Sequence, residues 1–315
     1  HSDLHFVEGL YPTKLPIVLG HESAGVVEKV GRDVRYVAAG DHVITCLSVF
    51  CGQCEYCLSG KPSLCTRTGL NREPGQKPRI SQNGAEVQQF ANLSSYADHM
   101  LIHENGLVKI RKDMPLDRAA LTGIGAVINT AKVEPGSSVA VIGCGGIGLS
   151  CINGAAIAGA GQIIAIDTVG SKLNLAKLFG ATHVIDASKG DVVKQVREIT
   201  DQGVDYSFEA IGLKKTAEDA FRMLRPGGAA TVIGMIPVGV NVELHGPEFL
   251  REKKIQGSNM GSNRFRIDMP RYVEFYLSGK LKLDEMVSQR IKLEAINEAF
   301  ATMKTGEVAR SVIMF

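Results

Sequence analysis

The sequence predicts an α/β protein in which a doubly wound parallel sheet is joined to a second, mainly β domain. Three observations support that expectation. Apolar runs of strand length alternate with helix-like segments from Val139 to Gly257. A G-x-G-x-x-G turn stands where the first of those strands gives way to a helix. The first sixty residues break into short apolar stretches separated by glycines.

The stretch from Ser137 to Asp167 organises the chain. Val139 to Ile142 is apolar at both parities, as expected of a strand buried on both faces. Gly143, Gly145 and Gly148 follow at the spacing of a phosphate-binding turn. The first glycine makes the tight turn, the second admits backbone close to a pyrophosphate, and the third lets helix pack against strand. Gly146 and Ile147 open that helix, whose N-terminus offers N–H groups and a positive dipole end to phosphate. Asp167 closes the next apolar run, nineteen residues after Gly148, where an acid would accept hydrogen bonds from a ribose. The pattern predicts a dinucleotide-binding (Rossmann) domain. The uncharged interval between Glu134 and Asp167 also admits a membrane span, and a methyltransferase-like fold also carries a glycine loop and an acid. Strand, loop, helix, strand and Asp in that order favour the dinucleotide.

Beyond Asp167 the alternation continues. A helix is expected over 171–179 with Gly180 as its stop, then a strand over Thr182–Ile185. Asp191 reads as the N-cap of a helix that places Val192, Val193, Val196 and Ile199 on one face. Strand Val204–Ala210, helix Lys214–Leu224, a turn at Arg225-Pro-Gly-Gly and strand Ala229–Met235 follow, with a last strand near Lys254–Gly257. That makes six strands joined by right-handed crossovers. After Asn259, helices near 268–278 and 294–304 and a strand over Ser311–Phe315 are expected to return to the first domain. The expected division is therefore 1–121, 122–258 and 259–315.

The first 60 residues read as short strands and glycine turns, with Ser2, Asp3, His5, His21 and Glu22 as polar punctuation. Next comes Cys51-Gly-Gln-Cys54-Glu-Tyr-Cys57, with Cys65 after a further spacer. Four thiolates from one loop can close a tetrahedron around zinc and leave no position for water or substrate, so the site reads as structural; disulfides or free thiols are the alternative. Cys46, Cys144 and Cys151 lie in apolar runs and read as packing residues, and His42 and His99 as core or surface residues. A polar surface loop is expected over Thr66–Asn92 and a strand over Tyr96–Ile102. Composition is that of a soluble globular protein, with 44% hydrophobic residues, 22% charged residues and a net charge of +2. Without a basic block, neither nucleic acid nor a membrane is an expected partner. Clustered thiols point to a reducing compartment, hence a cytoplasmic location.

Taken together, His1-Ser-Asp-Leu-His5, Gly20-His-Glu22, the four-cysteine lobe, Gly143-Cys-Gly-Gly-Ile-Gly148 with Asp167, and the tail Ala309-Arg-Ser-Val-Ile-Met-Phe resemble the medium-chain zinc-dependent alcohol dehydrogenases over essentially the whole chain. The resemblance implies a GroES-like catalytic domain, two zinc ions and a nicotinamide cofactor. It implies that His21 is a catalytic-zinc ligand, that Glu22 is an occasional one, and that Asp3 is the carboxylate behind the histidine. Ser2 would hydrogen-bond the substrate alcohol, and His5 would end the proton relay. His1 and Arg310 would meet cofactor phosphates, Thr122 the cofactor, Lys172 the adenosine ribose, and Ile233, Gly234 and Met235 the nicotinamide. Tyr11 and Leu47 would line the substrate pocket.

The family's two catalytic-zinc cysteines match no residue here. One position falls immediately before His1 and the other within a segment between Leu121 and Thr122. The expectation is that those segments are omitted from the sequence; the alternative is a non-catalytic nucleotide-binding relative that keeps only the structural zinc. The implied reaction is reversible oxidation of an alcohol to an aldehyde or ketone. Asp167, with no arginine after it, favours NAD over NADP by repelling a 2′-phosphate. The long loop after the cysteine lobe resembles that of dimeric members and implies a homodimer, otherwise a homotetramer.

Overall fold

The computed structural model describes residues 2–66, 70, 75–77, 79–118, 123–305 and 310–315. At its centre lies a six-stranded parallel sheet: β1 (Ser138–Ile142), β2 (Gln162–Asp167), β3 (His183–Asp186), β4 (Val204–Glu209), β5 (Leu224–Val232) and β6 (Lys254–Gly257). The spatial order is β6-β5-β4-β1-β2-β3. It runs outward in both directions from β1 and β4, so a crevice opens between their carboxyl ends.

Side-chain alternation explains why the sheet is covered twice. Val139 and Val141 of β1 join one core with Leu149, Cys151 and Ile152 of α1 (Gly146–Ile157). Ala140 and Ile142 join a second core with Val192, Val193 and Val196 of α3 (Val192–Thr200) and Phe221 of α4 (Lys214–Arg222). The uncharged interval from Glu134 to Asp167 is thus strand, helix and strand, and no helix among the described residues is long and apolar enough to cross a membrane. Helix α2 (Gly170–Leu178) stops before Gly180, whose φ of +110° is costly for other residues. Asp191 caps α3 by accepting from the N–H groups of Val193 and Lys194.

Four expectations need correction. Arg225-Pro-Gly-Gly is no turn between elements but part of β5, where the register with β4 shifts; Asp205 holds Arg225 and bonds Ser138 on β1, fixing the bulge in place. No strand forms over Tyr96–Ile102, because the Ser95 and Tyr96 N–H groups turn back to the Gly20 and Leu19 carbonyls. The expected loop Thr66–Asn92 holds a hairpin, Ile80–Gln82 with Ala85–Gln89, closed by Asn83-Gly84, both at positive φ. Lastly, Ser2–Val7 is a short helix within the region expected to be all β.

The N-terminal part otherwise consists of two three-stranded sheets, Ile17–Val18 with the hairpin and Ala24–Val26, His42–Thr45 and Leu107–Lys109. Segment 259–315 supplies α5 (Phe265–Leu277), α6 (Ile296–Thr305) and a two-stranded parallel pair, Gln289–Ile291 with Ser311–Ile313. It reaches the N-terminal part through Arg290 on Asp117, Arg118 on Asp284, and Arg266 on the Glu104 carbonyl.

Candidate functional site

The glycine turn takes the geometry its spacing demands. Gly143 has φ +95°, and a Cβ on Gly148 would stand 1.6 Å from the Gly143 carbonyl oxygen. Space beside Gly145 is open. Gly146 begins α1, and Ile147 is 36% exposed at its first turn. Asp167 lies at the mouth of this turn: its Oδ2 accepts from the Cys144 N–H at 2.8 Å, and its Oδ1 from the Val169 N–H at 3.0 Å. Lys172, on the first turn of α2, is near enough for its charge to be felt at the Cys144 thiol, which burial pushes up to about 12.

Across the crevice, the helix Ser2–Val7 places two polar side chains one turn apart and a third between them. Ser2 Oγ is 3.5 Å from Met235 Sδ, a contact that bridges to the end of β5. His5 stacks on Tyr11 with centroids 6.0 Å apart, and the Tyr11 hydroxyl donates to the Ile236 carbonyl at 3.0 Å. Leu47 is half-buried. Asp3, buried, directs Oδ2 to within 2.8 Å of His21 Nδ1, while its Oδ1 accepts from the Gly20 N–H at 2.9 Å. Tyr96 also bonds Asp3. Burial acts to raise the Asp3 pKa, yet the bond and charge of His21 and the Gly20 N–H outweigh it and hold it low. Burial acts to lower that of His21, and Asp3 and Glu22 reverse this, raising it. Arg310 stands 3.5 Å from Glu22.

Behind the crevice, the Ile233 and Gly234 N–H groups both donate to the Glu209 carbonyl, fixing the backbone that leads to Met235. His1 and Thr122, and with them the Leu121–Thr122 junction, lie outside the described residues. Tyr96, Phe90 and Glu209 were not singled out from the sequence. Phe90 packs edge-on to His21, and its place three residues beyond Val87 in the hairpin gave no signal in a segment read as loop.

In the cysteine lobe, the Sγ atoms of Cys51, Cys54, Cys57 and Cys65 lie within 4.8 Å of one another. Cys54 is 3.5 Å from Cys57 and 3.8 Å from Cys65. Tetrahedral zinc with bonds of about 2.3 Å holds its sulfurs roughly 3.8 Å apart, so the four fit the ion. N–H groups of Cys57 and Thr66 pull the Cys54 thiol down to about 6, whereas burial and neighbouring sulfurs push Cys57 up to about 12. Four thiolates this close need a cation to coexist. Asn105 holds the Phe50 carbonyl at 2.8 Å, and Asn259 holds the Ser63 carbonyl at 2.9 Å, tying the lobe to the body. Cys46, Cys144 and Cys151 are buried among apolar neighbours.

His21 and Glu22 fit a second metal position less completely. Among the described residues, the only group of three or more histidine, cysteine or acidic side chains close enough to share a metal is the four-cysteine lobe.

This sheet, its glycine turn and the cysteine lobe define a zinc-containing, dinucleotide-binding protein. Residues 1–112 match the alcohol dehydrogenase GroES-like domain, and residues 146–278 match the zinc-binding dehydrogenase model. The chain is 38% identical over 331 residues to an alcohol dehydrogenase class-3 of Drosophila melanogaster, covering 100% of this chain and 87% of that one. It is 39% identical over 329 residues to an S-(hydroxymethyl)glutathione dehydrogenase of Photobacterium damsela subsp. piscicida, covering 100% and 89%. Among solved structures, a benzyl alcohol dehydrogenase from Acinetobacter calcoaceticus superposes with a TM-score of 0.90 at 34% identity, covering 99% of this chain and 88% of that one. The chain belongs to the medium-chain zinc-dependent alcohol dehydrogenase family. Zinc and NAD are the cofactors typical of that family, and the lobe and the six-stranded sheet are the parts of this chain that fit them.

Proposed function

We propose that this oxidoreductase reversibly oxidises a primary or secondary alcohol to an aldehyde or ketone with NAD. The observation that carries the reading is the buried Asp3 carboxylate 2.8 Å from His21 Nδ1, one residue from a serine that touches Met235 across the crevice. A carboxylate behind a histidine fixes its ring and tautomer, which is the support a metal ligand needs.

His21 would hold a catalytic zinc, with Glu22 as an alternative contact. Its remaining ligands would come from segments that the relatives carry and this sequence does not; the match to the Drosophila relative runs over 331 residues against 315 here. When bound, that zinc supplies Lewis-acid polarisation of the alcohol oxygen. Ser2 orients the hydroxyl and takes up its hydrogen bond. His5, one helical turn on, carries the proton toward solvent, helped by the stacked ring of Tyr11 that holds its imidazole in place. On the nucleotide side, Gly143 to Gly148 admit the pyrophosphate, Asp167 and Lys172 meet the adenosine ribose, His1, Thr122 and Arg310 meet the cofactor, and Ile233 to Met235 form the floor of the nicotinamide site. The substrate is a small alcohol or aldehyde, the assembly a homodimer, and the units divide at 121 and 258.

A panel of aliphatic, allylic and aromatic alcohols, read by NADH absorbance with the chain carrying those family segments, tests the reaction. Two zinc ions per chain support it. One zinc per chain with no turnover of any alcohol overturns it in favour of a nucleotide-binding relative.

A further inference from the structure

Glu209 is the last residue of β4, and its backbone pairs with Ile142, the last residue of β1. It thus stands at the carboxyl ends of the two strands that border the crevice. Its side chain is fully buried, with 0% exposure. One oxygen, Oε1, is fully engaged: it accepts from the Ile211 N–H at 3.0 Å, the Gly212 N–H at 2.7 Å and the Thr216 hydroxyl at 2.7 Å. The other, Oε2, is buried without a hydrogen-bond partner. A Cβ on Gly234 would come within 2.5 Å of that oxygen, so the carboxylate backs directly on the 233–235 backbone.

No ion pair to Glu209 is found among the described residues. A brace for the 211–216 turn needs only the engaged oxygen. A buried acceptor left with spare lone pairs and no counter-cation is costly unless something positive arrives beside it.

Resting on the reading of Ile233, Gly234 and Met235 as the nicotinamide cradle, we propose that Glu209 biases the site toward the oxidised cofactor through the charge behind that cradle. The oxidised nicotinamide ring is cationic and the reduced ring neutral. A fixed carboxylate in a low-dielectric wall therefore attracts the first and is indifferent to the second. Glu209 acts through the backbone between it and the ring and needs no contact with either reacting atom.

The test is a pair of dissociation constants: NADH by fluorescence titration and oxidised NAD by calorimetry. Glu209→Gln keeps the shape and removes the charge. It is expected to raise the Kd for NAD about tenfold while moving that for NADH less than about twofold. Thr216→Lys, at a half-buried position whose hydroxyl already reaches Oε1, supplies a counter-cation without removing the carboxylate and is expected to do the same. Should the first variant fail to fold, the second decides. Thr216→Val loosens the brace but keeps the charge, and is expected to leave the ratio of the two constants unchanged. Equal shifts of both constants in the charge variants, or a changed ratio in Thr216→Val, would mean that Glu209 is a brace and nothing more. A wild-type chain that binds neither cofactor form overturns the dinucleotide reading itself, and this inference with it.

Discussion

The carboxylate of Asp167, at the end of the second strand, accepts the N–H of Cys144 within the glycine turn at 2.8 Å. The acid and the phosphate-binding turn are thus one hydrogen-bonded unit, and a negative charge is held at the turn's mouth by two backbone donors. A 2′-phosphate about 4 Å away would meet roughly 4 kcal/mol of repulsion per unit charge at an effective dielectric of 20. We expect kcat/KM to favour NAD over NADP by a factor on the order of 10³. Asp167→Ser should erase most of that preference, chiefly by improving NADP. Equal efficiency with both cofactors in the wild-type chain would refute the role given to this acid.

Two glycines of the turn should respond differently to the same methyl group. At Gly148 a Cβ would overlap the Gly143 carbonyl oxygen, so Gly148→Ala should cost about 3–5 kcal/mol by forcing α1 off the sheet. At Gly145 a Cβ meets nothing within 4 Å. Gly145→Ala should therefore keep stability within about 1 kcal/mol and weaken NAD binding instead, by filling the space a pyrophosphate would use. Thermal melts and cofactor titrations of the two variants give the comparison.

Removal of one sulfur should undo the zinc lobe. Cys57→Ser is expected to lower zinc by one equivalent per chain in elemental analysis and to open the 51–65 segment to proteolysis, because metal binding worth roughly 10–16 kcal/mol in small sites is what orders such a loop. Retention of that zinc in the variant would contradict the assignment of all four sulfurs.

Asp3→Asn tests the support behind His21. With the charge gone and the ring orientation free, we expect about 10- to 100-fold weaker catalytic-zinc affinity or activity, and unchanged occupancy of the cysteine lobe. Equal loss from both sites would indicate a folding defect instead.

Asp205 gives a pH signature away from the crevice. Burial acts to raise its pKa, but the Ser138 N–H and hydroxyl and Arg225 outweigh this and lower it below the ordinary 3.8. A carboxyl lowered by folding contributes stability that is fully present above the unfolded value and disappears as pH falls through the folded one. Asp205→Ala should cost about 1–3 kcal/mol near neutral pH, since it leaves a Ser138 donor unpaired and frees the β5 bulge. The difference from wild type should shrink below about pH 4; a constant difference in denaturant melts down to pH 2.5 would contradict this.

The central sheet was legible because its strands are buried on both faces and leave uninterrupted apolar runs, punctuated by Gly180 and the Asp191 cap. The zinc lobe was legible because four sulfurs fall within one short loop. The hairpin closed by Asn83-Gly84 carried a readable turn signal that the polar surroundings masked. Phe90, Tyr96 and Glu209 had no such signal: each gains its place from partners far away in the chain.

What the sequence by itself determined was therefore local: alternation, glycine spacing, caps and clustered thiols, each acting over fewer than about four residues or one turn. The tertiary structure alone decided that Asp3 meets His21, that Ser2 reaches Met235, and that the second oxygen of Glu209 lies partnerless behind Gly234. The physical reason is that those pairings depend on how two separately folded units lean together across a crevice. Close packing fixes that arrangement; no periodicity records it.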